Sequence, residues 1–110
     1  MAYDERLAAR VRVVLADDPG VTERKMFGGI AFLCGGHMAC GVVGEALMLR
    51  LGPEASDAAL EEPHTRPMDF TGRPIRSMVY VDPAGIATDD ALLAWVARAR
   101  EFVSTLPPKH

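Results

Sequence analysis

Arg73 and Arg76 lead directly into an apolar run that closes at Asp82-Pro83, which sets two guanidinium forks on a rigid strand edge. Arginine engages carboxylate or phosphate through paired N–H donors, so the pair suits an anionic ligand or partner. His64 and Arg66 lie nearby in the chain and Asp69 is the only acid between His64 and Arg76, which makes this segment basic inside a protein of net charge −3. Upstream, Lys25 precedes Gly28 and Gly29, and consecutive glycines let backbone amides turn towards an anion. Together with Arg50, these residues form the expected anion site: Lys25, Gly28, Gly29, Arg50, Arg73 and Arg76. A purely structural reading stands beside this one. Glycines at this point let the chain enter a strand, and Arg73 or Arg76 can pair with Asp69, Asp82 or a helix carboxylate.

Cys34, His37 and Cys40 lie within seven residues and could supply soft ligands to zinc. The two-residue turn Gly35-Gly36 places Cys34 opposite His37, and strict alternation then sends Cys40 to the other face of the sheet. A tetrahedral site needs convergence, so neither a metal nor a Cys34–Cys40 disulfide is expected. Cys34 beside His37 could be an activated thiol, but no third group orients the pair. The acid pairs Asp17-Asp18, Glu61-Glu62 and Asp89-Asp90 all fall at expected helix ends, where capping and solvation account for them. No cofactor loop is present, and no catalytic residues are assigned.

The elements that must position these residues follow from periodicity. Leu7, Val11, Val14 and Leu15 predict an amphipathic helix over about residues 4–16, starting at Asp4. Ile30–Cys34, Met38–Val43 and Ala46–Leu51 read as a three-strand meander divided by Gly35-Gly36 and Gly44-Glu45. Alternation assigns Ala31, Leu33, Met38, Cys40, Val42, Leu47, Leu49 and Leu51 to the core. Ile30, Phe32, Cys34, His37, Ala39, Gly41, Val43, Met48 and Arg50 then form a half-apolar second face, to be covered by other segments or by another subunit. Pro53 opens a short helix that Pro63 stops; His64 to Arg76 reads as loop with Met68–Phe70 as a candidate short strand, and Ser77–Val81 is a strand. Thr88 caps a last helix whose Leu92, Trp95, Val96, Ala99, Phe102 and Val103 share a face. The class is α+β, one domain over residues 1–110, with an antiparallel sheet and helices mostly on one face.

With 49% apolar and 25% charged residues, the chain sits among ordinary globular proteins. Two cysteines are too few for a disulfide scaffold, and no apolar run approaches a membrane span, so a cytoplasmic location is expected. Net acidity weighs against a surface that tracks nucleic acid throughout.

Lys25-Met26-Phe27-Gly28-Gly29, the glycine-punctuated meander to Leu47–Leu51, Gly72-Arg73-Pro74, Met78-Val79-Tyr80 and Leu106–Lys109 stand in an order that resembles the N-terminal domain of the TfoX/Sxy competence-regulator family. The resemblance spans nearly the whole chain and implies an α-β(3)-α-β(2)-α fold similar to secretion-chaperone-like domains. It supplies no catalytic residues. The expected function is a non-catalytic regulatory or adaptor module, a homodimer, that binds a protein or a small anionic partner. Two alternatives stand beside it: nucleic-acid contact through Lys25, Arg66, Arg73 and Arg76, and a small enzyme acting on an anionic metabolite with Cys34 or His37 as its reactive group.

Overall fold

The computed structural model describes residues 3–26, 28–70 and 73–107, with backbone alone at 69, 70, 73 and 74. Helix α1 (Glu5–Val14) begins where expected, because the Asp4 carboxylate accepts the backbone N–H groups of Arg6 and Leu7. The strands are β1 (Val21–Met26), β2 (Gly29–Cys34), β3 (His37–Val43), β4 (Ala46–Arg50), β5 (Thr65–Phe70) and β6 (Arg73–Val81). Helix α2 (Pro53–Ala59) follows β4, and a short 3₁₀ turn (Pro83–Ile86) leads into α3 (Asp89–Ser104), whose first turn is capped by the Thr88 hydroxyl. All six strands form one antiparallel sheet in the order β1-β2-β3-β4-β6-β5. No helix among the described residues is long and apolar enough to cross a membrane.

The α+β class holds, and three features depart from the sequence reading. Strand β1 is additional, at the sheet edge opposite β5. Its four central residues, Thr22-Glu23-Arg24-Lys25, are all exposed, so it lacks the alternation that marks a half-buried strand. Charged residues along such a strand keep the open edge from pairing with other chains. The loop expected between His64 and Arg76 is instead most of a long hairpin, β5–β6, with a register shift between Pro67 and Asp69.

The third departure reverses part of the face assignment. Cys34 does pair with His37, Val43 with Ala46 and Cys40 with Leu49. Between them the β2–β3 register shifts at Phe32/Leu33, so that Phe32 pairs with Cys40 and Ile30 with Val42. An extra residue on one strand inverts every side chain beyond it. Ile30 and Phe32 therefore join Cys40, Val42, Leu47 and Leu49 under the helices, together with Leu7, Val11, Leu92, Trp95 and Val96. Ala31, Leu33 and Met38 fall on the opposite side with Met48, Met68 and Met78. Phe102, expected in the core, is half-buried.

Ion pairs fasten the helices to one another and to the sheet. Arg10 pairs with Asp89, Arg98 with Glu62, and Arg100 with Asp17 and Asp18, so the acid pairs at helix ends serve as ion-pair partners. The Arg12 fork donates to both oxygens of Glu23 at 2.8 and 2.9 Å, tying α1 to β1. This bond holds the Glu23 carboxyl below its ordinary pKa and raises Arg12. A carboxylate depressed in the folded state adds stability above its unfolded pKa and loses it as pH falls through the folded value. Stability should therefore fall on acidification from about pH 5 to 3, and Glu23→Gln should flatten that part of the profile. Both side chains are partly exposed, so the difference in urea denaturation should stay below about 1 kcal/mol.

Candidate functional site

The register separates the expected anion-site residues. Lys25 lies in a row that runs through Ile30, Val42, Leu47 and Val81, on the helix side of edge strand β1. Arg50 pairs with Met78, three residues further along β4. Gly28 lies in the β1–β2 turn near Lys25 at φ +75°, and Gly29 opens β2 tight against the Val42 carbonyl. Arg50 and Arg76 stand together at the other end of the sheet. The Arg50 guanidinium lies 6.0 Å from the Phe102 ring centroid, and Arg76 donates to Asp57 of α2 at 3.0 Å. Arg73 has its side chain outside the described residues, as do Phe27, Gly72 and Pro108-Lys109 altogether. Arg66 pairs with Asp82 at 2.7 Å and stacks 5.0 Å from the Tyr80 ring.

Arg76 has the partner type foreseen as its structural alternative, a helix carboxylate. With the two side chains 74% and 54% exposed, this pair contributes little to folding.

The Cys34–His37 hairpin end meets the last turns of α3 in an open cleft of about 550 Å³. Asp18, Arg100, Glu101, Ser104 and Leu106 line it as well. The expected divergence of Cys34 and Cys40 fails for the reason already given: the register shift turns Phe32 towards the same side as Cys40, and Cys34 is two residues along from Phe32. Both cysteines are nevertheless free thiols, and Cys40 is a small residue of the main core. Among the described residues no three His, Cys, Asp or Glu side chains are arranged to hold a metal ion.

The electrostatics of the cleft oppose thiolate chemistry. Burial pushes the Cys34 thiol above its ordinary pKa, and the neighbouring Asp18 charge raises it further. Cys40 is pushed up to about 12 by burial. The His37 ring donates its Nε2–H to the Pro107 carbonyl, so it anchors the segment after α3. Arg100 turns towards Asp17 and Asp18, and the Ser104 hydroxyl donates to its own helix at the Glu101 carbonyl. Iodoacetamide at pH 8 should label Cys34 more slowly than glutathione and leave Cys40 unlabelled until the protein unfolds. Rapid labelling of Cys34 would contradict this electrostatic description.

Sequence reasoning missed Arg100 and Asp18 in this cleft. A signal existed: Ala97, Arg100, Glu101 and Ser104 recur at helical spacing beside the apolar stripe of α3. What the sequence lacked was the β2–β3 hairpin end as the opposing wall.

The side of the sheet away from the helices is the other notable surface. Five of the six methionines gather there: Met48, Met68 and Met78 buried, Met26 and Met38 half-buried. Val43, Ile75 and Tyr80 pack against this cluster and are also half-buried, and no helical residue belongs to it.

A family model described as the TfoX N-terminal domain matches residues 14–103. No curated protein matches the chain.

Proposed function

The chain belongs to the TfoX N-terminal domain family, which is associated with competence regulation, and from that premise we propose that it is a non-catalytic regulatory or adaptor module that binds a partner protein. The observation that carries this reading is the methionine cluster on the sheet, buried at its centre and rimmed by half-buried Met26, Met38, Val43, Ile75 and Tyr80, to which no helical residue belongs. Contiguous apolar surface of that kind marks an interaction site more often than a reaction site. The cleft supports the same reading. A nucleophile needs a depressed pKa or a base beside it, whereas Cys34 is raised and the described contact of His37 is to a backbone carbonyl. Arg98 and Arg100 are occupied by carboxylates of the chain itself.

Complementation of a deletion strain tests the proposal. A chain carrying Cys34→Ser with His37→Ala should restore the phenotype as well as the natural chain does. Loss of function in that double variant, with its fold intact by circular dichroism, would replace the adaptor reading with the small-enzyme alternative.

A further inference from the structure

Charge is divided unevenly between the layers of this fold. The six strands contain Arg24, Lys25, Arg50, Arg66, Arg73 and Arg76 against only Glu23 and Asp69, a net charge of +4 within a chain of −3. Everything outside the strands therefore carries −7. Pairing across the ladder assigns three of the strand cations to the methionine side, one of which, Arg50 opposite Met78, carries its guanidinium to the Phe102 ring of α3. Arg24 is opposite Ala31, a member of the methionine cluster, and Arg66 is opposite Tyr80, on whose ring it stacks. Glu23, opposite Phe32, faces the helices instead. Among the described strand side chains, no carboxylate shares the methionine side.

That side thus has a centre of flexible thioethers and a rim of guanidinium groups. Arg24 is exposed. Arg66 has its side chain 51% exposed and donates its Nε–H to Asp82, just past the end of β6. Methionine adapts its shape to irregular apolar partners, which suits a surface that must accept an inserted side chain. We propose that the methionine side of the sheet docks an acidic amphipathic segment of a partner protein, its apolar residues on Met26, Met38 and Val43 and its carboxylates on Arg24 and Arg66. This rests on the adaptor reading and gives it a surface and a partner chemistry.

Two other occupants fit less well. A second copy docking by the same side would set arginine rims against each other, a like-charge contact that interfaces avoid. Single-stranded nucleic acid would match the cations but seeks aromatic platforms, and Tyr80 is the one aromatic residue described in the cluster.

The test uses the purified chain with ¹³C-labelled methionine methyl groups. The probe is a short peptide helix with leucine and phenylalanine at i, i+3, i+4 and i+7 and glutamate elsewhere. Saturable shifts at the Met26 and Met38 methyls are expected, weakening with added salt. Arg24→Glu with Arg66→Glu should reduce the affinity at least about tenfold, and a lysine version of the peptide should not bind. Both arginines lie at the surface, so the variant is expected to fold, which its methyl spectrum verifies directly. Absence of saturable shifts at these methyls, equal binding of the lysine peptide, concentration-dependent self-association through these methyls, or saturation by single-stranded RNA instead would each overturn the proposal. If the peptide fails while the chain carrying Cys34→Ser and His37→Ala still complements, this inference falls and the adaptor reading stands. If complementation fails too, the adaptor reading falls with it.

Discussion

Phe32→Ala is expected to lower the unfolding free energy by about 3–5 kcal/mol in urea denaturation, one of the largest losses available from a single side chain in this protein. Phe32 is 1% exposed in the main core, paired across the ladder with Cys40 and next to Val42 under the helices. Truncating it removes apolar burial and leaves a cavity between rigid layers that cannot close it. The expectation depends on the register shift between Phe32 and Leu33. With unbroken alternation, Phe32 would face the partly open methionine side, where the half-buried cluster could relax around the loss. A cost below about 1 kcal/mol would mean that β2 presents its other face to the helices. Leu49→Ala, on the helix side in either register, should cost about 2–5 kcal/mol and serves as the control.

The second large effect is expected at Gly29. A Cβ placed there would lie 2.0 Å from the Val42 carbonyl oxygen, and the obstacle is backbone in the neighbouring strand. Neither side can yield without disturbing the β2–β3 ladder, so Gly29→Ala should destabilise by about 3 kcal/mol or more. Gly28 provides a sharp contrast. Nothing lies within 4 Å of a Cβ built there, and its only demand is the left-handed φ of +75°. Gly28→Ala should therefore cost about 1–2 kcal/mol. This pair of variants separates the two readings of the glycine motif. A strand-entry role predicts the asymmetric losses just stated; an anion cradle of exposed amides predicts two folded variants of similar stability that differ in phosphate affinity.

Much of the architecture was legible because local signals and tertiary packing agree. Asp4 and Thr88 cap the helices that their spacing announced, and the two glycine turns fix hairpin pairing at Cys34–His37 and Val43–Ala46. Where the sequence misled, a tertiary effect had no local signature. The shift at Phe32/Leu33 lies inside an uninterrupted β-prone run, without the glycine or proline that often marks a bulge. Strand β1 is held by pairing with β2 and by the Arg12–Glu23 bond, and no apolar alternation announces it. The hairpin from Thr65 to Val81 hides behind Pro67 and Pro74, residues that sheets tolerate chiefly near edges and irregularities.

The candidate surfaces were legible only in part. A half-apolar second face was expected, and the structure has one, but Ile30 and Phe32 leave it for the main core while Ala31, Leu33 and Met38 join it. The gathering of five methionines could not be seen before β5 and β6 were placed beside β4, since Met68 and Met78 come from the late hairpin. Of the arginine pair that opened the reading, Arg76 reaches a helix carboxylate, and the side chain of Arg73 lies outside the described residues. Two of the cations assigned to the methionine side, Arg24 and Arg66, come from the two edge strands. Charge segregation between sheet and helices becomes visible only when strand membership is known.

The central claim is that this domain works by presenting the methionine side of its sheet to a protein. A photo-crosslinking amino acid at Met38, half-buried on that side, and another at Leu93, 51% exposed on α3, would be compared in the native host cells. The predicted result is a discrete protein adduct from Met38, absent from Leu93 and lost with Arg24→Glu plus Arg66→Glu. Adducts from Leu93 alone, or nucleic acid as the species joined to Met38, would contradict it.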